Sequence, residues 1–337
     1  LLAGVEVIFL TGPGVSAADY QQLLNEETTP LRNRASMDNY HPGSIFKIVV
    51  ALACLEAGLN PAEKIDVPPD PQNPARGFIQ VGRNHFRDTA PPGEYDFYRA
   101  FIKSSNTYFI TNGLRLGPEA VSRMGQQFHL GERSALPTRQ DNGGSFPSSW
   151  RVRRNWSPGD TANMCIGQGE IDVTPVQMAV MVAAVANGGK VFWPRLVSRI
   201  EPQDPGGGEP RLFEPGRVRD QLRVSPRSLQ LVREAMYGDV QDPDGTGHKG
   251  AFIPGFGICA KTGTAQVMDL NNRVTDQITW FASYAPFEHP RYVVIVMVEG
   301  GASGGGTCAP VAKKIYEQLQ SLENQRMIKT ATMAQAR

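Results

Sequence analysis

Three strand-like runs near the carboxyl end of the chain constrain its fold more than any other feature. Residues 256–267, 276–285 and 291–299 are rich in β-branched and aromatic residues, and the turn sequence PFEHP separates the last two. A connection this short favours an antiparallel pair. A further β-branched run, VEVIFL at residues 5–10, ends at TGPG and predicts one more strand at the opposite end of the chain.

The residues between these strands are mostly helical, with irregular stretches. Apolar residues at helical spacing predict helices at 44–57, 96–115, 117–129, 173–189 and 226–237, and a final amphipathic helix at 310–324. The helix at 173–189 has a capping-box pattern, since Thr174 is followed three residues later by Gln177. Prolines, glycines and aspartates predict loops with short strands at 60–95, irregular chain at 131–161 and a loop or hairpin at 201–216.

Strands at both ends and helices between them predict an α/β (α+β) fold. We expect a sheet assembled from about residues 1–30 and 250–325, with a helical lobe of about residues 45–250 inserted between the two contributions. Residues 326–337 are expected to form a loose tail. The groove between sheet and lobe is the default position for a functional site.

Charge and hydropathy exclude two classes of partner. The 34 lysines and arginines nearly balance the 33 acidic residues, so the chain has no basic excess of the kind that nucleic-acid binding requires. No apolar run approaches the roughly 18 residues that a membrane span requires. The longest run, YVVIVMV at residues 292–298, suits a buried strand.

Cysteines and histidines do not predict a metal site. The four cysteines, at positions 54, 165, 259 and 308, form no C-x-x-C pattern, so a zinc knuckle is excluded. Mostly buried thiols are favoured, although one or two disulfides stay open. The five histidines show no H-x-x-x-H spacing, and no metal is expected.

The stretch GSIFKIVV at residues 43–50 places a serine three positions before a lysine, at the start of the first buried helix. Residues three apart share one face of a helix, so Lys47 can reach the Ser44 hydroxyl. A lysine kept neutral by burial and by a second nearby cation can take the serine proton and make the hydroxyl a nucleophile. Both residue types are common, so this pattern alone favours the plainer interpretation, a capping serine with a solvent-reaching lysine.

Two further patterns occur once each, after the S-x-x-K pattern. KSSNTYF at residues 103–109 contains an S-x-N triplet, and KTGTAQ at residues 261–266 contains K-T-G. S-x-x-K, an S-D-N element and K-T-G are the signature set of penicillin-binding proteins and class A β-lactamases. A helix cap explains the second pattern alone, and an edge strand the third, but the three together favour a serine acyl-transfer site.

The chain resembles the transpeptidase domain of the monofunctional (class B) penicillin-binding proteins over roughly residues 1–322. Besides the three motifs, the resemblance rests on PLRNRA, YHPGSIFK, IGQGEIDVTPVQMA, VANGG and WFASYAPFEHP. It implies the penicillin-binding/β-lactamase-like transpeptidase fold, with a mainly antiparallel five-stranded sheet flanked by helices. It also implies that about residues 1–325 form one transpeptidase domain.

The resemblance assigns a catalytic role to five residues. Ser44 is expected to attack the carbonyl of a D-Ala-D-Ala bond and become acylated, with Lys47 as the general base. Ser104 is expected to relay a proton to the leaving amine, and Asn106 to hold the substrate amide. Lys261 is expected to supply positive potential from a strand position that faces the groove.

The substrate-binding residues come from the same motifs. Thr262 and Thr264 are expected to contact the terminal carboxylate of a substrate or β-lactam, and Ser105 to lie in the site. Gly263 is expected to leave room for a substrate to approach the strand. The backbone N–H groups of Ser44 and Thr264 are expected to form the oxyanion hole.

Two segments indicate a branch of the family. IGQGE followed by TP-x-Q-x-A resembles the elongation (rod-shape) type, and HFRD at residues 85–88 points the same way. Many elongation-type members carry a Cys-Asp version of the second motif, where this chain has Ser105 and Asn106, so a division or sporulation role stays open. Ile45 and Ala260 depart from the common Thr and Gly at spacer positions.

Three rival interpretations are weaker. A class A β-lactamase would need a glutamate loop, and GERSALPTR at residues 131–139 has Glu132 without the surrounding pattern, whereas Asn106 is not typical of class D. GASGG at residues 301–305 matches a nucleophile elbow, but no histidine follows Ser303. A non-catalytic β-lactam sensor or scaffold of the same fold would not require the complete set of reactive residues.

The resemblance implies a peptidoglycan DD-transpeptidase that cross-links stem peptides, needs no cofactor and is covalently inhibited by β-lactams. The implied partners are a D-Ala-D-Ala donor, an amine acceptor and a lipid-linked glycan polymerase of the elongation machinery. The family also carries an N-terminal membrane anchor and a stalk domain, which are not among these 337 residues. Its expected location is the extracytoplasmic face of the bacterial inner membrane.

Overall fold

The structure, a computed structural model, describes residues 16–27, 29–136, 140–202, 208–268 and 274–335. The strand predicted at residues 5–10 lies outside the described residues. In the described part, helices are α1 (Ala17–Asn25), α2 (Arg34–Met37), α3 (Lys47–Glu56), α4 (Phe97–Ile102), α5 (Asn106–Leu116), α6 (Pro118–Gln127), α7 (Pro158–Cys165), α8 (Pro175–Ala186), α9 (Pro226–Gln241), α10 (His248–Ala251) and α11 (Ala309–Gln335).

Strands are shorter and fall mainly into two regions. They are β1 (Ile65–Val67), β2 (Pro69–Asp70), β3 (Asn73–Val81), β4 (Asn84–Arg87), β5 (Gly93–Tyr95), β6 (Lys190–Phe192), β7 (Arg199–Ile200), β8 (Arg211–Leu212), β9 (Val218–Gln221), β10 (Cys259–Met268), β11 (Val274–Ala285) and β12 (Tyr292–Glu299). Short 3₁₀ turns occupy Gly43–Phe46 and Arg151–Arg153, and a π-helical turn occupies Gly304–Cys308.

The last three strands form the central sheet, in the order β10-β11-β12 with both pairs antiparallel. This confirms the three strand predictions near the carboxyl end. The described residues give this sheet three strands, and the strand expected from the amino end falls outside them. Lys261 pairs with Ala282, which pairs in turn with Ile295, so the K-T-G strand lies at one edge of the described sheet.

Side-chain alternation gives this sheet two buried faces. Cys259, Ala265 and Trp280 pack with the helical lobe in the main core. Ala260 and Phe281 face the other way, into a second core that includes residues of α11. The first face therefore joins the sheet to the helices that carry the S-x-x-K and S-x-N motifs.

The buried helix α3 begins in a 3₁₀ turn rather than in α-helix. Every residue from Gly43 to Leu55 is buried, as the unbroken apolar pattern predicts. In a 3₁₀ turn the side chains at positions i and i+3 eclipse each other. Ser44 lies in this turn and Lys47 follows it as the first residue of α3, so the two residues are one turn apart.

The helix predicted at 96–115 is broken in the middle. Helix α4 ends at Ile102, and α5 begins at Asn106. Ser104 adopts a left-handed backbone conformation with φ of 56°, which a β-carbon disfavours and which marks sites where tertiary contacts hold the chain. The break places the S-x-N motif at the start of α5 instead of within a helix.

Other boundaries follow or exceed the predictions. Helix α8 has the predicted capping box, in which Thr174 accepts from the Gln177 backbone N–H and the Gln177 side chain accepts from the Thr174 backbone N–H. Helix α11 extends to Gln335, into the residues assigned to a loose tail.

All four cysteines are free and buried, as favoured. Within the described residues, none of the helices has the length and apolar character of a membrane span.

Candidate active site

A groove of about 630 Å³ runs between the sheet edge and the helical lobe. Its walls contain one residue from each of the three motifs: Ser44, Asn106 and Thr264. The remaining lining residues are mostly polar: Gln72, His85, Phe86, Arg87, Asp88, Thr89, Asn163, Ile166, Gln168, Gln266 and Gln277. Segments far apart in sequence therefore meet in one groove, in the place where the fold prediction expects a site.

Two glycines allow other backbone segments to pack closely against the turn that contains Ser44. The Gly43 N–H donates to the Gly167 carbonyl oxygen at 2.9 Å. An added β-carbon at Gly43 would lie 2.8 Å from the Thr264 carbonyl oxygen, and one at Gly167 would lie 2.1 Å from the Gly43 oxygen. Only glycine allows this approach of three backbones. The turn is thereby fixed against the K-T-G strand, with Ser44 8% exposed at the groove.

The Lys47 amine lies below the groove and is fully buried. It donates to the Ser104 carbonyl oxygen at 2.6 Å and to Asn106 Oδ1 at 2.7 Å, and the Ser104 hydroxyl is 3.3 Å away. A neutral amine has two N–H donors and one lone pair. The two short hydrogen bonds use both donors, which leaves the lone pair to accept a proton from a hydroxyl.

The pKa of Lys47 lies well below its ordinary value of 10.5. Burial is the main cause, and the positive charge of Lys261 adds to it, while Asp88 opposes the shift. This is the environment that the sequence predicts for a lysine base, with the second cation now identified as Lys261.

Asp88 contributes to the site, although the sequence patterns did not predict this role. Its buried carboxylate accepts from the Ser105 hydroxyl at 2.7 Å and from the backbone N–H groups of Asn106 and Thr107 at 2.7 and 2.8 Å. A carboxylate at a helix N-terminus satisfies free N–H groups and interacts favourably with the helix dipole. Asp88 therefore fixes the S-x-N motif at the start of α5.

Ser105 differs from its prediction as a residue of the substrate site. It is fully buried, donates to Asp88 and accepts from the Tyr108 backbone N–H at 3.2 Å. Its hydroxyl thus caps α5 and faces the core rather than the groove. The reason is that Ser104 and Asn106, on either side of it, take the positions next to Lys47.

Lys261 is also fully buried, on the sheet face towards the lobe. Burial lowers its pKa to about 8, and the negative charge of Asp239 opposes that shift. Its Nζ donates to the Thr262 carbonyl oxygen at 3.2 Å and lies 5.5 Å from the centroid of the Phe101 ring. Near neutral pH Lys261 is therefore mostly protonated and raises the positive potential around Lys47.

Thr262 points away from Lys261, into a buried hydrogen-bond chain. Its hydroxyl lies 2.6 Å from the Thr246 hydroxyl, which donates to Asp239 Oδ1 at 2.5 Å. Because Thr246 donates its one hydroxyl proton to the carboxylate, the Thr262 hydroxyl donates to the Thr246 oxygen. The Thr262 hydroxyl is thus occupied inside the protein, whereas Thr264 lines the groove. Burial raises the pKa of Asp239, and Lys261 and Thr246 oppose this.

Gly263 makes room for protein rather than for a ligand. An added β-carbon would lie 3.0 Å from Ile45 Cγ2, 3.1 Å from the Pro42 carbonyl oxygen and 3.2 Å from Trp280 Cβ. The absent side chain lets the strand pack on the turn that carries Ser44. This differs from the predicted reason for the glycine, because the space beside it is already filled.

The two histidines nearest the groove have polar partners of their own. His41 Nδ1 lies 2.7 Å from the Ile171 carbonyl oxygen and 2.9 Å from Asp172, and His85 Nε2 lies 3.3 Å from Asp70. No group of three or more His, Cys, Asp or Glu side chains with metal-binding geometry occurs in the described part of the chain.

Comparison with known proteins agrees with these motifs. Residues 14–317 match the family described as penicillin binding protein transpeptidase domain. Peptidoglycan D,D-transpeptidase MrdA of Salmonella typhimurium is 31% identical over 333 residues, which cover 91% of this chain and 50% of the relative. Peptidoglycan D,D-transpeptidase PbpA of Mycobacterium tuberculosis is 31% identical over 316 residues, covering 90% and 60%. The chain thus spans about half the length of the curated relatives it matches.

Solved structures show the same fold. Penicillin-binding protein PBP2 of Helicobacter pylori, in its complex with MreC, has a TM-score of 0.73 and 28% identity over 92% of this chain and 55% of that one. PBP3 of M. tuberculosis complexed with aztreonam has a TM-score of 0.74 and 32% identity over 87% and 64%. The ceftriaxone acyl-enzyme complex of penicillin-binding protein A from M. tuberculosis has a TM-score of 0.74 and 27% identity over 91% and 66%.

Proposed function

The chain belongs to the penicillin binding protein transpeptidase domain family, and from that premise we propose that it is a peptidoglycan DD-transpeptidase acting through an acyl-enzyme on Ser44. The observation that carries the proposal is the Lys47 amine, fully buried, hydrogen-bonded to Ser104 and Asn106 and placed one turn after Ser44. Its depressed pKa makes it a better general base near neutral pH than an ordinary lysine, because a larger share of the amine is neutral.

The first half of the reaction forms an ester. Ser44 Oγ attacks the carbonyl carbon of the donor's D-Ala-D-Ala bond while its proton passes to the Lys47 lone pair. The oxyanion is stabilised by the backbone N–H groups of Ser44 and Thr264. The C–N bond then breaks, and the proton passes from Lys47 through the Ser104 hydroxyl to the leaving D-Ala amine.

The second half transfers the acyl group. An amine of a neighbouring stem peptide attacks the ester carbonyl, gives up a proton to Lys47 and displaces Ser44, which regains its hydrogen. Asn106 holds the donor amide in both halves, whereas Thr264 holds the donor's terminal carboxylate only in the first half, until D-Ala leaves. Thr262 acts on that carboxylate only if its hydroxyl leaves Thr246, so we assign Thr264 the larger share of the contact.

One relative supports covalent inhibition by β-lactams, and a second binds a β-lactam. M. tuberculosis PBP3 is complexed with aztreonam, and M. tuberculosis penicillin-binding protein A forms a ceftriaxone acyl-enzyme. We propose that this chain reacts with β-lactams at Ser44 in the same way. A β-lactamase would instead have to place a hydrolytic water against the ester, and none of the relatives described above is a β-lactamase.

The biological setting is proposed from the same relatives. The MrdA relatives and the PBP2–MreC complex of H. pylori favour a part in elongation of the cell wall. We propose that about residues 1–325 form the transpeptidase domain of a longer, membrane-anchored protein on the extracytoplasmic face of the inner membrane. A lipid-linked glycan polymerase would be its partner, since cross-linking needs newly made strands.

The experiment joins a donor and an acceptor on the purified chain. A synthetic stem peptide ending in D-Ala-D-Ala is incubated with a second peptide that offers a free side-chain amine, and products are followed by mass spectrometry. We expect D-Ala release and a cross-linked product with the wild-type chain and neither with Ser44→Ala. Benzylpenicillin is expected to form an acyl-enzyme that lasts minutes to hours. Turnover of benzylpenicillin within seconds would contradict the proposal in favour of a β-lactamase.

A further inference from the structure

Arg87 is a cation on the wall of the groove that the proposed reaction does not use. It ends strand β4, and the hairpin of β3 and β4 forms one side of the groove that also contains Ser44. Its side chain is 62% exposed. A guanidinium is always charged at physiological pH and binds carboxylates with paired, charge-assisted hydrogen bonds.

The guanidinium is held in place along one edge. Arg87 Nε lies 3.3 Å from Asp70 Oδ2, and Nη2 donates to Gln72 Oε1 at 2.7 Å. Asp70 is fixed in turn, because its buried carboxylate accepts from the Gln72 backbone N–H at 2.8 Å and lies 3.3 Å from His85 Nε2. Within the described part of the chain, Arg87 Nη1 makes neither a hydrogen bond nor an ion pair. The edge away from Asp70 therefore keeps free donors.

The rest of the groove has the character of a peptide site. Six of its lining residues carry side-chain amides, which pair with the N–H and C=O groups of a peptide: Gln72, Asn106, Asn163, Gln168, Gln266 and Gln277. The one carboxylate on the wall, Asp88, is 4% exposed and is occupied by N–H and O–H donors of the protein. Arg87 is thus a positive group in an amide-lined groove whose one carboxylate, among the described lining residues, is buried and already hydrogen-bonded.

Arg87 is connected directly to the residue that we assign to the donor amide. The Asn106 side-chain amide donates to the Arg87 carbonyl oxygen at 2.8 Å and accepts from Lys47 at 2.7 Å. The Arg87 backbone therefore lies beside Asn106, and the guanidinium contacts Gln72, which lines the same groove. The terminal D-Ala carboxylate is assigned to the opposite wall, at Thr264, so it is not the group that Arg87 would meet.

We propose that Arg87 forms a subsite for a carboxylate on the donor peptide, carried by the residue that precedes D-Ala-D-Ala. This inference rests on the proposed function, since it takes the donor to be acylated at Ser44. Asp70 and Gln72 pre-orient the guanidinium, which reduces the entropy cost of binding the carboxylate. A donor with a free carboxylate at this position is preferred over one in which the carboxylate is amidated.

Two penicillins provide a matched probe of this subsite. Carbenicillin differs from benzylpenicillin by one carboxylate, which is attached to the carbon next to the carbonyl of the side-chain amide. We expect Asn106 to bind this amide in both compounds. The second-order rate constants for acylation are measured for both compounds with the wild-type chain and with Arg87→Gln. Arg83→Gln, on the same hairpin but outside the groove lining, is the control for loss of one positive charge.

We expect Arg87→Gln to lower the ratio of the carbenicillin rate to the benzylpenicillin rate about twofold to fivefold, the effect of an exposed ion pair. In Arg87→Gln the acylation rate constant for benzylpenicillin itself should change less than twofold. In Arg83→Gln the ratio of the two rate constants should stay unchanged. In the wild-type chain the same ratio falls as NaCl is raised, because salt screens an exposed ion pair. This second measurement needs no variant.

An unchanged ratio in Arg87→Gln, or a wild-type ratio independent of salt, would overturn the subsite while leaving the proposed function intact. Failure of benzylpenicillin to acylate the wild-type chain would instead overturn the proposed function, and the subsite with it. The same comparison extends to donor peptides with a carboxylate or a carboxamide before D-Ala-D-Ala, where the carboxylate form is expected to react faster in the wild-type chain only.

Discussion

The Lys47 amine donates a hydrogen bond of 2.6 Å to the carbonyl oxygen of Ser104, a residue held at a φ of 56°. Backbone in this left-handed region costs a non-glycine residue roughly 1–3 kcal/mol unless its surroundings compensate. Here the compensation comes from Lys47 and from the Thr89 hydroxyl, which also donates to the Ser104 oxygen. The strained residue and the buried lysine therefore hold each other in position.

The rate of acylation by benzylpenicillin is expected to depend on pH with two limbs. The rate falls in acid, because Lys47 must be neutral to act as a base, and it falls again above about pH 8, where Lys261 loses its proton. Lys261→Arg keeps the positive charge at high pH and should remove the alkaline limb. An alkaline limb that persists in this variant would show that another group titrates there.

Asp239 is expected to set the position of that alkaline limb. Its negative charge holds the pKa of Lys261 up against burial, so Asp239→Asn should move the limb to lower pH. The variant keeps an oxygen that accepts from Thr246, which limits the structural change. The measurement is the acylation profile between pH 6 and 9 on roughly half-unit steps, and a limb that stays in place argues against electrostatic coupling of Asp239 to Lys261.

Removal of the Lys47 amine is expected to lower activity and raise stability together. Lys47→Met fills a similar volume without the charge, and acylation should fall at least about a thousandfold because the base is lost. Since the pKa of Lys47 is depressed in the folded chain, the unfolded chain binds the proton more tightly. The free energy by which buried Lys47 destabilises the folded chain thus grows as pH falls from 10.5 towards the depressed pKa of Lys47. Below that pKa it is constant.

The stability of Lys47→Met is tested by urea unfolding at several pH values. The variant should exceed the wild type in free energy of unfolding at pH 7, and the gap should close as pH approaches 10.5. A variant that is less stable than the wild type at pH 7 would mean that the packing and hydrogen bonds of Lys47 outweigh its desolvation.

Loss of the Asp88 carboxylate is expected to disturb the S-x-N motif. In Asp88→Asn an NH2 group replaces one carboxylate oxygen, and each oxygen accepts two hydrogen bonds: Oδ1 from the Asn106 and Ala90 N–H groups, and Oδ2 from the Ser105 hydroxyl and the Thr107 N–H. Two donors therefore lose their acceptor, which should cost at least about 1–3 kcal/mol of stability. Acylation should slow as well, because Asn106 also binds Lys47. Asp66→Asn, at an exposed position on β1, is the matched control and should change neither quantity. Equal behaviour of the two variants would remove the positioning role from Asp88.

Local patterns predicted the parts of this molecule that depend on neighbours in sequence. The apolar run after Lys47, the Thr174–Gln177 capping box and the three strands of the central sheet follow from spacing alone. The S-x-x-K spacing likewise places Ser44 and Lys47 one helical turn apart. These features need no knowledge of the rest of the fold.

The features that the sequence did not predict depend on distant partners. Nothing in HFRD indicates that Asp88 caps a helix 18 residues later, and no pattern joins Asp239 on α9 to Thr246 and the K-T-G strand. The break at Ser104 was missed because tertiary contacts, not propensity, hold its backbone. The sequence predicts that Gly263 leaves space for a ligand, whereas the turn that contains Ser44 packs against this glycine.

The central claim is that three distant segments form one cleft in which Lys47 activates Ser44, and the site of an antibiotic adduct tests it most directly. The wild-type chain is treated with benzylpenicillin, digested, and the modified peptide is sequenced by mass spectrometry. The account predicts a single adduct on Ser44, absent from Ser44→Ala and strongly reduced in Lys47→Met. An adduct on any other side chain, or undiminished labelling of Lys47→Met, would contradict it.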